Sequence, residues 1–474
     1  MTREKSLDSC YKSCHPLASI ASIIRPLPTQ PAMTPSKFNF FQHWYPLTPI
    51  ADLRPDYPIA ATVLGVKIVL WKPRQAETYR AFLDRCPHRL APLSEGRIDE
   101  QSGYLMCSYH GWQFDQRGVC QSVPQAEANF QPAKQAQLCA TVLPSQIAND
   151  LFWVWPDPNS ADLAAQTPLP LSPQVDASKG FVWDSYVRDL EYDWQTLVEN
   201  VVDPSHVPFA HHGLQGNRSQ AGPLPVQVTQ FTAERIEAKT KGRLNTQIVF
   251  EPPCRVEYAI TLGTSGKQVG LVTYCIPTVP GKCRIVAQFP RNFALTLHRL
   301  TPRWWVHVKI RNAVLDGDMI LLQQQQQKLQ QQTQTQDWKS AYTLPTSADK
   351  FVIKFRQWFD RYCQGRLPWS TCSAESEAAT PRDRRQMLDR YHQHTQHCQS
   401  CRKALKSIRY LQWGFLVYFI LSLTIVALLP DQQRFLPGLP LLTLALLGLG
   451  AAAWLRFSLE PKFYFVDYIH AEHS

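Results

Sequence analysis

The chain of 474 residues has no internal repeat, no long run of basic residues and no triplet period among its 20 glycines and 37 prolines. Without repeats it is not a solenoid or array. Without the triplet period it is not collagen-like. Its net charge is +11, yet with the basic residues dispersed and no nucleic-acid motif present, nucleic acid is not the expected partner. An acidic redox protein or an anionic membrane surface suits that charge better. Charged residues are only 18% of the chain and apolar residues 44%, which excludes a wholly disordered polypeptide. No apolar run follows the first positive charges, and Glu4 and Asp8 interrupt them, which argues against a secretory signal. Thirteen cysteines in so long a chain do not make a small disulfide scaffold. Several stand beside histidines and read as metal ligands and reduced thiols in a reducing compartment.

What is present divides into units. Residues 1–37 are rich in Ser and Pro and read as a disordered or targeting segment. Short β-type runs bounded by turn residues, such as 61–71 and 151–155, predict a small antiparallel β domain over 38–156. Residues 157–180 read as a linker, and 181–395 as a second unit of mixed strand and helix. Its Gln-rich stretch, 323–336, is either low-complexity sequence or the polar continuation of a helix that starts near Val314. A short segment, 396–410, carries Cys398 and Cys401. Two uncharged apolar runs follow within 411–455, from Leu411 to Leu429 and from Phe435 to Leu455. Each is long enough to cross a bilayer, for which roughly 20 apolar residues suffice, and a five-residue turn between them predicts a transmembrane helical hairpin. Arg402, Lys403, Lys406 and Arg409 precede the first run, and Arg456 and Lys462 follow the second. Such flanks stay on the cytoplasmic or stromal side, which puts the large N-terminal part there. Residues 456–474 form a tail.

The chemistry concentrates in two clusters. Cys86-Pro87-His88 and Cys107-Ser108-Tyr109-His110 each supply one Cys and one His. Two thiolates and two imidazoles suit zinc, but this even division between two loops suits a 2Fe–2S cluster with sulfur on one iron and nitrogen on the other. Downstream, His206 and His211 are five residues apart, a helix-like turn brings the two rings to one side, and a third ligand must come from further along the chain. Two histidines and a carboxylate leave positions open on Fe(II) for dioxygen.

The first pattern resembles the Rieske signature, with Pro92-Leu93-Ser94-Glu95-Gly96 and Gly111-Trp112 in support; Ser108 stands where many such proteins have Pro. The second, Asp-x-x-His-x4-His, resembles the mononuclear iron motif of Rieske oxygenases. The run Val202 to Gly213, the Cys398-Gln399-Ser400-Cys401 motif and the two C-terminal spans resemble the pheophorbide a oxygenase group, which includes chlorophyllide a oxygenase and the 55-kDa inner-envelope translocon component. The resemblance implies an α+β architecture: an N-terminal Rieske β domain, a helix-grip catalytic domain with an antiparallel sheet, and the membrane hairpin. It implies that Cys86 and Cys107 bind one iron of the cluster, and His88 and His110 the other. His206 and His211 would ligate the catalytic Fe(II), with Asp318 as third ligand and Asp316 as its competitor. His212 falls outside the spacing and reads as a neighbour of the site. Asp203 would link a Rieske histidine of a neighbouring subunit in a homotrimer to an iron-bound histidine, and Asn200 would face the open side of the iron. Cys398 and Cys401 read as a dithiol switch addressed by a thioredoxin, as a zinc site with His392, His394 or His397, or as two ordinary thiols. The implied activity is a monooxygenation fed by reduced ferredoxin on a chlorophyll-derived tetrapyrrole in the membrane. Another lipophilic substrate, or a redox-sensing translocon component, is the alternative. Trp304, Trp305, Trp358 and Tyr362 read as core rather than substrate wall.

Overall fold

The computed structural model describes residues 38–240, 245–333, 337–370 and 383–472. The expected N-terminal disordered or targeting segment lies outside them, as do the end of the Gln-rich stretch and the last two residues of the tail.

Strands form where β-branched and aromatic residues alternate or run together. In the first unit, Tyr45–Pro49 pairs with Leu151–Val154, which pairs with Ser145–Ala148. A second sheet runs in the order Ile59–Val63, Val66–Trp71, Arg80–Leu83 and Val142–Leu143. A third, of very short strands, runs Arg97–Ile98, Leu105–Met106, Gln113–Phe114 and Cys120–Ser122. All pairings are antiparallel. A separate small core of Val69, Trp71, Phe82, Leu93, Leu105, Trp112 and Phe114 lies under the loops that carry the first Cys-His cluster.

The second unit is built on a seven-stranded antiparallel sheet in the order Ser185–Leu190, Lys282–Gln288, Lys267–Val279, Arg255–Leu262, Asn245–Glu251, Ile236–Thr240 and Val226–Phe231. The helices Trp194–Val202 and Lys350–Cys363 pack on this sheet through Trp194, Leu197, Val198, Phe355, Trp358 and Phe359. This core is continuous with that of the first unit through Tyr45, Phe152 and Trp153.

The Gln-rich stretch is helical as far as it is described, within Asn312–Thr333. Gln326 and Gln330 sit against the start of the helix Trp194–Val202: Gln326 Oε1 accepts from the Asp193 amide at 2.5 Å, and Gln330 Nε2 donates to Asp193 Oδ2 at 3.0 Å. The glutamines therefore serve a buried helix terminus, where free backbone donors need partners.

The chain ends in two long apolar helical stretches, Gln399–Leu428 and Gly438–Phe463. The first begins twelve residues before the apolar run, because its opening turns bury Cys401, Ala404, Leu405 and Ile408 against the rest of the chain. Beyond that, large apolar side chains face outward, including Trp413, Leu428, Leu447 and Phe457. Close to their base the helices are clamped by the buried Glu460, which accepts from Arg409, Gln412 and Arg456, each at 3.0 Å.

Candidate metal centres

The first cluster lies on two loops that each close on themselves. The Cys86 amide donates to the Ala91 carbonyl at 2.7 Å, and the Cys107 amide to the Trp112 carbonyl at 2.9 Å. These ties curl each loop so that its Cys and His face the same way. Gly111 sits at φ +73, a left-handed conformation that glycine adopts without cost. Ser108, in the place of the usual Pro, donates from Oγ to the Glu95 carbonyl at 2.8 Å and so ties one loop to the other. Both thiols are buried, and the rings of His88 and His110 lie 4.5 Å apart with His88 stacked flat on Trp112.

Two observations fit a 2Fe–2S cluster here. His88 Nδ1 is buried with no hydrogen-bond partner among the described residues, so the atom a metal would take is otherwise unexplained. Burial pushes the Cys86 thiol up to about 12, so a thiolate at this position needs a metal cation beside it.

The second cluster is assembled from two segments far apart in sequence. The helix Trp194–Val202 ends at Asp203, and the chain turns so that His206 opens and His211 closes the single turn Val207–Ala210. The helix Asn312–Thr333 brings Asp318 to them. His206 Nε2 and His211 Nε2 are 3.2 Å apart, His211 Nε2 is 3.3 Å from Asp318 Oδ2, and His206 Nε2 is 4.0 Å from Asp318 Oδ1. His206 Nδ1 lies 2.5 Å from the Asp203 carbonyl oxygen. That contact makes Nδ1 the donor and leaves Nε2 bare and pointing at the other ligands. A cluster of two imidazoles and a carboxylate with converging lone pairs fits a divalent iron with open positions. Burial opposes charge on His206, but the Asp203 and Asp318 carboxylates outweigh it and raise its pKa above the usual value.

Asp316 is not at this centre. It is fully buried between two guanidinium groups, 2.7 Å from Arg188 and 2.5 Å from Arg390. Between the two acids, the backbone of Gly317 lies against the His211 turn: a Cβ there would stand 3.0 Å from the Ala210 carbonyl oxygen and 3.2 Å from the Tyr468 ring. Asn200 Nδ2 donates to Asp318 Oδ1 at 3.3 Å, so it holds the carboxylate. His212 accepts from the Arg218 amide at 3.1 Å and turns away from the cluster. Two residues of the tail, which sequence reasoning left without a role, close over the site helix. Tyr468 donates to the Ala210 carbonyl at 3.2 Å, and His470 Nε2 lies 2.9 Å from the Gly317 carbonyl.

Cys398 and Cys401 are buried, at 2% and 0% exposure. They face His394 and a histidine that sequence reasoning missed, His307, while His392 pairs with Asp389 at the surface and His397 with Gln396. Trp358 is core, as expected, whereas Trp305 is 38% exposed.

Comparison with known proteins agrees with this geometry. A family model described as Rieske 2Fe-2S domain matches residues 43–142, and one described as Pheophorbide a oxygenase matches residues 250–336. The chain is 37% identical to the chloroplastic pheophorbide a oxygenase of Oryza sativa subsp. japonica, over 92% of this chain and 86% of the relative. It is 32% identical to the chloroplastic flavonoid 8-hydroxylase 2 of Ocimum basilicum, over 96% and 91%. Among solved structures, dicamba monooxygenase bound to dicamba shares the fold, with a TM-score of 0.56 at 19% identity, covering 70% of this chain and 99% of that one.

Proposed function

Because the chain belongs to the pheophorbide a oxygenase family of Rieske non-haem iron oxygenases, we propose that it is a ferredoxin-fed monooxygenase of a chlorophyll-derived tetrapyrrole, of the pheophorbide a or chlorophyllide type. The observation that carries the reading is the convergence of His206, His211 and Asp318 in a chain that also holds a Rieske domain. A redox sensor has no need of an iron site with open positions, so this pairing favours an enzyme over a sensing component.

Cys86, Cys107, His88 and His110 would hold the cluster, and His206, His211 and Asp318 the iron. Bound there, the two centres supply single-electron relay and dioxygen activation. The protein's own part is positional. The Asp203 carbonyl fixes the His206 tautomer, Asn200 holds the Asp318 carboxylate, and the Asp203 side chain, which accepts from Ser205 at 2.5 Å, would link to a Rieske histidine of a neighbouring subunit in a homotrimer.

The C-terminal hairpin would lie in a membrane of a cyanobacterium or plastid, with the metal-bearing units on the cytoplasmic or stromal side. Its outward apolar side chains support this, as does the cluster of Arg402, Lys403, Lys406 and Arg409 at its base. A membrane anchor would suit a substrate that dissolves in lipid. A second lipophilic substrate class has one specific support: the flavonoid hydroxylase aligns along nearly the whole chain.

The test is oxygen uptake by iron-loaded protein with reduced ferredoxin, against a panel of pheophorbide a, chlorophyllide and flavonoids, with mass spectrometry of the product. Uptake coupled to a tetrapyrrole and a mass gain of oxygen are expected. No coupled uptake with any tetrapyrrole from fully loaded protein overturns the assignment, and uptake with a flavonoid alone replaces the substrate.

A further inference from the structure

A third group of ligands lies apart from both iron centres, at the root of the membrane hairpin. His307, His394, Cys398 and Cys401 are all buried, and one ligand atom from each lies within 4.8 Å of all the others. His307 Nδ1 is 3.6 Å from Cys398 Sγ and 3.9 Å from Cys401 Sγ, and His394 Nε2 is 3.4 Å from Cys401 Sγ. The chain folds specially to make this meeting. His307 begins one π-helical turn, His307–Arg311, and His394 lies in another, Tyr391–Thr395. Such turns are rare and concentrate at functional positions. Cys398 caps the first long apolar helix, and Cys401 lies in its first turn.

We propose that these four residues bind one zinc ion. Zinc takes two thiolates at about 2.3 Å and two imidazole nitrogens at about 2.0–2.1 Å in a tetrahedron. The edges of that tetrahedron are roughly 3.3–3.8 Å by the same bond lengths; three nitrogen–sulfur separations, 3.4, 3.6 and 3.9 Å, lie in or just beyond that range. The tautomer of His394 is set for a ligand: its Nδ1 lies 2.6 Å from the Val187 carbonyl oxygen and donates to it, which leaves Nε2 bare toward the sulfur. His307 directs its only hydrogen-bond contacts among the described residues at the two sulfurs. Binding exchanges the two thiol protons for the ion, and no electron moves.

The burial of both sulfurs separates this assignment from a dithiol switch, which needs a sulfur within reach of an attacking thiolate. The ion would join three segments: the start of the iron-ligand helix, the turn after residue 390 and the root of the membrane hairpin. From His307 to Asp318 is 318 − 307 = 11 residues along one helical run, about 16 Å at 1.5 Å per residue. Zinc here therefore fixes the base of the helix that carries the third iron ligand.

The experiment is elemental analysis of full-length protein in detergent, purified anaerobically, together with peptide mapping of maleimide labelling. About one zinc per chain beyond the iron is expected, with Cys398 and Cys401 labelling at least tenfold faster after a zinc chelator. His307→Gln and Cys401→Ser are expected to carry less than a tenth of that zinc while the Rieske absorption stays. Less than a tenth of a zinc per wild-type chain, or rapid labelling of both cysteines without chelator, overturns the proposal. So does recovery of a Cys398–Cys401 disulfide from gently oxidised native protein. The wild-type measurements decide the matter even if a variant fails to fold.

Discussion

Asn200 and Asp318, 118 residues apart, meet at 3.3 Å, with the Asn200 side-chain amide donating to the carboxylate oxygen that faces His206. One face of a short helix thus orients the carboxylate presented by another. In metal sites such partners fix the rotamer of the ligand, and their loss typically costs 10–100-fold in metal affinity or activity. Asn200→Ala is expected to weaken Fe(II) binding by about tenfold or more and leave the Rieske absorption unchanged. The check is anaerobic Fe(II) titration of the apoprotein. Wild-type affinity in the variant would leave Asn200 with no part in holding the carboxylate.

Asp318 and Asp316 stand two residues apart on one helix, yet their neighbours give them opposite tasks. Asp318→Ala should empty the mononuclear site, abolish oxygen uptake and leave the folded chain stable. Asp316→Ala should leave the fully buried Arg188 and the nearly buried Arg390 without their shared carboxylate, a loss of about 3–5 kcal/mol when one partner of a buried pair is removed. Melting temperature and iron content, measured on both variants, separate the two. A destabilised Asp318→Ala beside a stable Asp316→Ala would reverse the assignment.

The two loops of the Rieske cluster were legible in the sequence because each ligand pair is local: Cys86 with His88, and Cys107 with His110. The pair His206 and His211 was legible for the same reason. Asp318 was read as the third ligand from the family resemblance; the residues alone did not separate it from Asp316, because that rests on which face of the helix meets Arg188 and Arg390, and those residues come from a distant strand and turn. His307 was invisible for a stronger reason. It stands 394 − 307 = 87 residues before its partner His394, and nothing in Val306-His307-Val308 marks it. Still longer separations in sequence, 258 and 153 residues, hid the closure of Tyr468 and His470 over the site helix. The Gln-rich stretch was ambiguous because glutamine signals neither an apolar nor a charged face; its partner, the free helix terminus at Asp193, exists only after folding. The apolar runs were legible, but not that the first helix starts twelve residues earlier at Gln399, since hydropathy reports the outward apolar surface and not the helix that continues beneath it.

His43 gives a pH dependence. Its ring stacks on Phe38 at 4.6 Å, and burial lowers its pKa from 6.5 to about 4. The unfolded chain therefore takes up a proton at His43 between about pH 6.5 and 4 while the folded chain does not. Stability is full above that window and falls as the pH drops through it. The difference, 6.5 − 4 = 2.5 units, corresponds to about 3 kcal/mol at 1.36 kcal/mol per unit. His43→Phe, which keeps the stack, is expected to lose less melting temperature than the wild type between pH 7 and 4.5. Parallel curves for the two proteins would show that His43 carries none of the acid sensitivity.

Gly96 decides whether the two cluster loops can approach. Its backbone, at φ −79 and ψ −160, is open to any residue, so conformation does not require glycine there. Space does. A Cβ at Gly96 would stand 2.4 Å from the Met106 carbonyl oxygen and 2.7 Å from that of Leu93. Both neighbours are backbone and cannot turn aside as a side chain can, and Met106 immediately precedes Cys107. Gly96→Ala must therefore push the second loop away from the first, widening the gap that the cluster bridges. The expected outcome is a chain that keeps the seven-stranded domain and its Fe(II) affinity but loses the Rieske absorption, or assembles the cluster at a small fraction of the wild-type yield. Ser108→Ala removes only the tie from Ser108 to Glu95 across the same gap and should cost far less. Visible absorption per chain, measured on both variants beside Fe(II) titration, ranks them. A fully loaded cluster in Gly96→Ala would mean that the approach of the two loops does not depend on the space left at Gly96.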